Sequence, residues 1–469
     1  MTRVAYISLS VIIALSTLMN IFAFEKGHYW GDDFALYIAQ AKSLVEGNPE
    51  MLLRQNTFAM SHSSYPIGPN LVPWGLPIIL SPIYAIFGLN LIPLKIPGLI
   101  LFELSLIVIF FLFLGKLNSS LTILLASFFA FNPFFLLLND TVNSDTAYLF
   151  FSLLSVFMIQ KTIIEQRLSE YRVIRFLLIG FLIFLSCFTR VIGIALLFLL
   201  ITVQLIHISR THGINSLKYS MTNKFIWLPY SVFAVFQGIT YLLLPSGVGS
   251  YFSYIPSINL RSIKNQMYYY ATIPSEFFNA YFPSVMYGVT IPFVALGIKR
   301  NFKIDYPYVI YAFITLSILV IVPYPGGLRY ILPIFPFYIY FFCIGLDSSY
   351  LQFHISIFRF ILTIKPSCIF LGIFICLLVC HSSWVAYIML NNNHVVDGPF
   401  TKTSLEMFNF ISNHTDKSDI IIFFKPRILR LLTSRQSLMM TDFSQLMESN
   451  SHYLVIRKIR GIHDPIPPG

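Results

Sequence analysis

The residues with most chemistry to offer are two neighbouring carboxylates, Asp32 and Asp33, in the first polar stretch of the chain. A lone Asp there would read as a helix cap favoured by the helix dipole. Two side by side at a membrane surface point also to a base or a metal ligand, because burial and like charge raise the pKa of one of them. A second acidic stretch is Asn139-Asp140-Thr141-Val142-Asn143-Ser144-Asp145, and Lys95, Arg190 and Arg329 also lie at the ends of apolar runs. Acids and cations drawn from distant segments to one membrane face suit a reaction on an anionic lipid head group, since Arg clamps phosphate through paired hydrogen bonds. Glu103 stands apart inside an apolar run, where a carboxyl is costly unless paired or facing a cavity. It is a candidate coupling-ion or proton site.

The elements that must position these groups follow from composition. Of 469 residues, 56% are hydrophobic and 11% charged, against roughly 25% charge in soluble domains. The expected fold is an all-α polytopic membrane protein. A spanning helix needs about 20 apolar residues. Candidate runs are 4–24, 96–115, 121–139, 142–160, 226–244, 281–298, 307–323, 331–346 and 367–388. The run 176–208 is read as two helices, 176–189 and 191–208, turning at Thr189-Arg190, which brings Arg190 to a membrane surface.

Charge sets the sidedness. The loop 161–175 carries Lys161, Arg167, Arg172 and Arg175; the loop 209–225 carries Arg210, Lys218 and Lys224. The loop 299–306 carries Lys299, Arg300 and Lys303; the loop 347–366 carries Arg359 and Lys365. The positive-inside rule assigns all four to the cytoplasm. The alternation closes with eleven crossings, N-terminus inside and C-terminus outside, provided the Pro-rich run 71–92 does not cross. The first run reads as an uncleaved anchor, because no small-x-small cleavage site follows it.

The expected division is a transmembrane module, 1–388, with a large outer loop at 25–95, and an extracytoplasmic domain, 389–469. A further outer loop, 245–280, is rich in Tyr and Ser. The tail alternates a helix near 403–413, an apolar strand at 420–424, a helix at 426–433 and a strand at 453–456, which predicts a small α/β domain. Its Lys425, Arg427, Arg430 and Arg435 suit either an acceptor glycan or anionic lipid, or a solvated face.

Several classes drop out. There is no P-loop, dinucleotide glycine fingerprint, His-Glu-x-x-His or nucleophile elbow. The net charge of +11 is spread over loops rather than gathered in a soluble patch, so no nucleic-acid partner is expected. All five Cys lie in apolar runs, without disulfide or zinc spacing. His28 and His62 share the first loop but form no metal signature.

Five local motifs occur in order. Asp33, Tyr37, Ala41, Leu44 and Gly47 form Asp-x-x-x-Tyr-x-x-x-Ala-x-x-Leu-x-x-Gly. A Pro/Gly-rich segment runs from Tyr65-Pro66-Ile67-Gly68 to Phe87-Gly88. Asn132-Pro133 precedes Asp145. Thr189-Arg190-Val191-Ile192-Gly193 and Arg329-Tyr330-Ile331-Leu332-Pro333 complete the set. In this order the chain resembles the GT-C superfamily of polyprenyl-phosphate-sugar-dependent glycosyltransferases, in the branch of protein O-mannosyltransferases and aminoarabinose transferases.

The resemblance implies a polyprenyl-phosphate sugar as donor and an extracytoplasmic lipid, glycan or protein as acceptor. It implies a multi-pass enzyme of the bacterial cytoplasmic membrane, with the C-terminal domain in the periplasm or outside. The family has Asp-Glu where this chain has Asp-Asp. Alignment on Tyr37 puts the catalytic carboxylate at Asp33; alignment on the acidic pair puts it at Asp32. The first register has more points of support. Asp145 would be a second, acceptor-side carboxylate. Arg329 and Arg190 would hold the donor phosphate, with Lys95 a third candidate, and Tyr37 and Tyr330 would contact substrate. Phosphate already leaves well, so direct displacement with inversion needs no strong acid. The 71–92 segment would help form a groove for the lipid tail. No cofactor is expected, although a divalent metal assists some relatives. The rival classes are a secondary transporter or lipid flippase, which would use Glu103 but shows no inverted repeat, and a non-catalytic scaffold.

Overall fold

Helices dominate because apolar runs in lipid must satisfy their backbone hydrogen bonds internally. The structure is a computed structural model. It describes residues 2–64, 68–165, 172–213, 223–247, 256–278, 283–348, 353–357, 360–364, 366–392, 395, 397–440 and 451–455. Among the described residues, eight helices are long and apolar enough to cross a membrane, or nine spans if one bent pair is counted.

The eleven runs read from sequence differ from this at three places. The run 121–139 forms two helices, Ser119–Ala130 and Pro133–Asn139, bent by 49°. Asn132 caps the second and Pro133 opens it. The runs 281–298 and 307–323 form two helices that abut at a non-helical kink, Asp305, within the stretch Pro283–Ile321. The run 176–189 lies in a shorter apolar helix, Val173–Thr189. The Pro-rich run becomes Gly75–Phe87, 13 residues long. At 1.5 Å per residue it reaches about 20 Å, short of the ~30 Å hydrocarbon core.

Helix packing is close where glycine allows it. A Cβ on Gly297 would collide with the Phe341 carbonyl, and one on Gly345 with that of Phe293. These two glycines let the Pro283–Ile321 and Phe335–Ser348 helices meet backbone to backbone. The 347–366 loop contains an antiparallel hairpin, Phe353–Ile357 with Phe360–Ile364. Arg167, Lys218, Arg359, Lys365 and the motif residues Tyr65, Pro66 and Ile67 lie outside the described residues.

A second apolar cluster explains how the first loop and the C-terminal segment hold together. Phe34, Ile38 and Ala41 of the Asp32–Val45 helix pack with Leu76 and Leu80 and with Ile421, Ile428 and Leu429. The first-loop helix is thus sandwiched between the Gly75–Phe87 helix and the C-terminal segment. That segment holds helices Lys402–His414 and Pro426–Thr433 and a parallel sheet in the order Gln436–Leu438, Ile420–Ile422, Tyr453–Leu454. The expected strand at 420–424 is shorter. Gln436–Leu438 is absent from the sequence reading, because three residues display no alternation. Residues 441–450 and 456–469 of the tail lie outside the described residues.

Candidate active site

Asp32 and Asp33 occupy the first turn of the Asp32–Val45 helix. Gly31 is its N-cap and no side chain caps that end. The cap reading open to a lone Asp thus applies to neither carboxylate. Both are therefore left to bind partners near the positive end of the helix dipole, and their partners differ. Asp33 Oδ2 accepts a hydrogen bond from Arg329 Nη2 at 3.0 Å. Asp32 Oδ2 lies 3.2 Å from Arg427 Nη1.

Arg329 stands at the start of a short 3-10 helix, Leu328–Ile334. The preceding turn is anchored by the Gly326 N–H, which donates to the Tyr270 hydroxyl at 3.1 Å. Tyr270 belongs to the Leu260–Thr272 helix of the Tyr-rich 245–280 segment, whose start is fixed by reciprocal bonds between Asn259 and Ser262. Arg329 Nη1 also comes within 4.0 Å of Asp145 Oδ2.

Asp145 opens the Asp145–Ile159 helix and forms an ion pair with Arg190. Asn143 Oδ1 accepts the Asp145 N–H at 2.8 Å. Arg190 sits where the chain reverses between the Arg172–Thr189 and Ile194–His212 helices. A Cβ at Gly193 would press on the backbone of Ser186 and Cys187, so this reversal needs glycine. The Arg190 guanidinium lies over the Tyr330 ring at 4.1 Å, and that of Arg329 at 5.6 Å. One turn beyond Asp33, the Tyr37 hydroxyl shares a 2.6 Å hydrogen bond with Ser144 Oγ, beside Asp145.

Asp33, Arg329, Asp145, Arg190 and Tyr330 therefore form one connected group, with Tyr37 at its edge. Exposure divides it. The side chains of Asp33 and Arg329 are 49% and 38% accessible, those of Asp145 and Arg190 2% and 9%. The first pair can meet a substrate, while Asp145 stands behind it and holds the cations. Desolvation by the surrounding chain pushes the Asp33 carboxyl up, but the guanidinium of Arg329, aided by Arg427 and Arg190, brings it below the ordinary value. Asp32 is raised, because burial outweighs Arg427 and Lys425. Asp33 is thus the carboxylate held ionised.

Lys95 is not in this group. Its ammonium is fully buried and donates to Asp140 Oδ1 at 2.7 Å and to the Glu25 carbonyl at 2.8 Å. Asp140 Oδ1 also accepts the Glu25 N–H at 3.0 Å. Lys95 fastens the end of the first helix to the Asn139-Asp140 turn, and this geometry gives no support to a phosphate-binding role. Glu103 is also separate: Ser16 Oγ donates to it at 2.8 Å within the membrane helices.

His28 stacks on Phe34 at 3.9 Å, and its Nε2 accepts the Val142 N–H at 3.3 Å. Burial lowers its pKa to about 4, so the ring is neutral. It ties the start of the Asp32–Val45 helix to the segment before Asp145. Among the described residues, no group of three or more His, Cys, Asp or Glu converges on a point that would hold a metal ion.

The sequence left the role of Arg427 open. It is 5% exposed, and its Nη2 donates to the Pro69 carbonyl at 2.5 Å. Arg430 and Arg435 are buried too, which corrects the solvated-face alternative for these three. The available signal was two arginines flanking Ile428 and Leu429 on a short helix whose apolar residues face the first loop. Beside the group lies an apolar groove of about 410 Å³, lined by Trp74, Phe188, Val191, Phe233, Tyr241 and Leu244 among others. Val191 adjoins Arg190 in the chain.

No family model matches this chain, and no curated protein does. Solved structures share its fold. One is ArnT from Cupriavidus metallidurans bound to undecaprenyl phosphate, with a TM-score of 0.58 and 9% identity over 94% of this chain and 87% of that one. Another is the oligosaccharyltransferase AglB from Archaeoglobus fulgidus with an inhibitory peptide and a dolichol-phosphate, with a TM-score of 0.53 and 10% identity over 92% of this chain. The chain spans 64% of the length of that enzyme. A structure of the Archaeoglobus fulgidus oligosaccharyltransferase with Zn and sulfate also aligns, with a TM-score of 0.51 and 10% identity over 92% of this chain and 62% of that one. The chain thus has the GT-C-like fold that its motifs resemble.

Proposed function

We propose that this GT-C-like membrane protein is a glycosyltransferase. It moves a sugar from a polyprenyl-phosphate donor to an extracytoplasmic acceptor with inversion at the anomeric carbon. The observation that carries the reading is the Asp33–Arg329 pair, open to substrate and backed by buried Asp145 and Arg190. An adjacent apolar groove of about 410 Å³ suits an isoprenoid tail. The two structural neighbours that carry a polyprenyl phosphate support the donor class.

The proposed steps use groups already described. Arg329, with Arg190 behind it, holds the donor phosphate. Asp33 accepts a hydrogen bond and then the proton from the acceptor nucleophile. That nucleophile attacks the anomeric carbon opposite the phosphate. The glycosidic bond to acceptor forms as the bond to phosphate oxygen breaks, and the charge leaves on polyprenyl phosphate. A positioned base contributes roughly 10²–10⁴-fold, and fixed cations in a low-dielectric pocket stabilise the departing charge. Asp145 acts through Arg190 and Arg329 rather than on the acceptor. Tyr330 carries both guanidinium groups on its ring, and Tyr37 fixes the wall next to Asp145.

We further propose eleven crossings in a bacterial cytoplasmic membrane, with the N-terminus in the cytoplasm. The loop at 25–95 and the domain at 389–469 then face the periplasm or exterior. The acceptor is a lipid, glycan or protein on that side. One neighbour carries Zn and sulfate, but the converging acids here, Asp33 and Asp145, are each bound to arginine. They do not make a cation site in this arrangement, and no step above passes through a metal. Glu103 bonds to Ser16 within the helices, which does not favour a carrier.

The test compares purified wild type with Asp33→Asn on pooled polyprenyl-phosphate sugars and membrane-extract acceptors. Release of polyprenyl phosphate with a mass-shifted acceptor in wild type alone is the expected result. Equal turnover in both variants would remove Asp33 from the base role, and retention of configuration in the product would sink direct displacement.

A further inference from the structure

A cleft of about 230 Å³ opens between the first loop and the C-terminal segment. Its walls include Lys42, Ser43 and Glu46 of the Asp32–Val45 helix, Gln55 of the next helix, and Arg430 and Ser434. Arg430 is 9% exposed. A guanidinium removed from water is costly unless an anion accompanies it. Lys42 answers Glu46 at 3.7 Å, and Asp32 answers Arg427 at 3.2 Å. Arg430 has no carboxylate partner among the described residues; its guanidinium donates only to the neutral amide oxygen of Asn56. Burial, with Arg427 close by, lowers its pKa to about 10, and Asp32 offsets this only in part.

The cleft therefore combines a buried guanidinium, only partly balanced by Asp32 and without an ion-pair partner among the described residues, with a lysine at the wall. We infer that it is a second oxyanion subsite, distinct from the Arg329–Arg190 pair, which holds a phosphate or carboxylate group on the acceptor. This rests on the proposed transferase reading. Arg430 follows Arg427 by one helical turn, about 5 Å along its axis, and Lys42 follows Asp33 by nine residues on a helix, about 14 Å along its axis. An acceptor glycan bearing an anionic group can thus place a hydroxyl at Asp33 while its charge rests on Arg430. Arg is suited to this because its planar fork binds an oxyanion through two parallel bonds.

The test uses the full chain in nanodiscs with glucose 1-phosphate as probe and glucose as the uncharged control, read by calorimetry. Two phosphate-dependent sites are expected in wild type. Arg430→Gln should remove one and Arg329→Ala the other. Lys42→Glu, on an accessible wall and so safe for folding, should weaken the Arg430-dependent site about ten-fold or more, as loss of a charge-assisted contact allows. A single site removed by Arg329→Ala and untouched by Arg430→Gln and Lys42→Glu overturns the proposal, as does equal binding of glucose. An Arg430-dependent site without an Arg329-dependent one would instead count against the donor reading while leaving this subsite standing.

Discussion

The carboxylate of Asp33 and the guanidinium of Arg329 meet at 3.0 Å although 296 positions separate them in the chain. Both remain accessible, so in the proposed reaction the pair can meet substrate. It also fixes the protonation state of Asp33.

The first prediction concerns pH. The Asp33 carboxyl lies below its ordinary value, so it is ionised from weakly acidic to alkaline pH. Activity should be lost as pH falls through that lowered pKa, giving an acid limb in kcat/KM below the ordinary Asp range. Arg329→Gln removes the chief cation, so its residual activity should show this limb at higher pH. A wild-type limb near neutrality would assign the proton to another group.

Lys95 should matter for folding rather than turnover. Lys95→Met leaves Asp140 buried without its cation, and breaking such a pair costs roughly 3–5 kcal/mol. A large loss of thermal stability is expected, with specific activity of the folded fraction near wild type. The double variant Lys95→Met/Asp140→Leu should recover much of the loss. A donor KM raised in a fully stable Lys95→Met would instead make it a phosphate ligand.

Arg427 links the C-terminal segment to the first loop through Asp32 and the Pro69 carbonyl. Asp32→Asn should lower stability by about 1–3 kcal/mol, since a mostly buried guanidinium loses its charged partner. The rate should fall far less than in Asp33→Asn. Thermal unfolding alongside donor turnover separates the two effects. A collapse of kcat in a stable Asp32→Asn would transfer the base role to Asp32.

Glu103 offers a check on the carrier alternative. Glu103→Gln keeps a group able to bond Ser16, so sugar transfer should stay within about three-fold of wild type, less than the ~1 kcal/mol net worth of one hydrogen bond. Vesicle flux abolished by this change, with Asp33→Asn mild, would favour transport.

The sequence by itself determined the membrane class, most of the helices and the charged residues that the structure brings together. Long apolar runs can satisfy their backbone only as helices, and a charged residue at the end of such a run lies at a membrane surface. That is why Asp33, Asp145, Arg190 and Arg329 were legible. Tertiary structure decided which charges meet. Lys95 and Arg190 look alike in sequence, yet one closes on Asp140 and the other on Asp145. Asp32 and Asp33 are adjacent, yet the helix turn sends one to Arg427 and the other to Arg329. Pairings of this kind depend on the docking of segments hundreds of residues apart, here through the apolar cluster joining Phe34 and Ile38 to Ile428 and Leu429. Local pattern carries no record of such contacts, because burial and partner are properties of the packed chain.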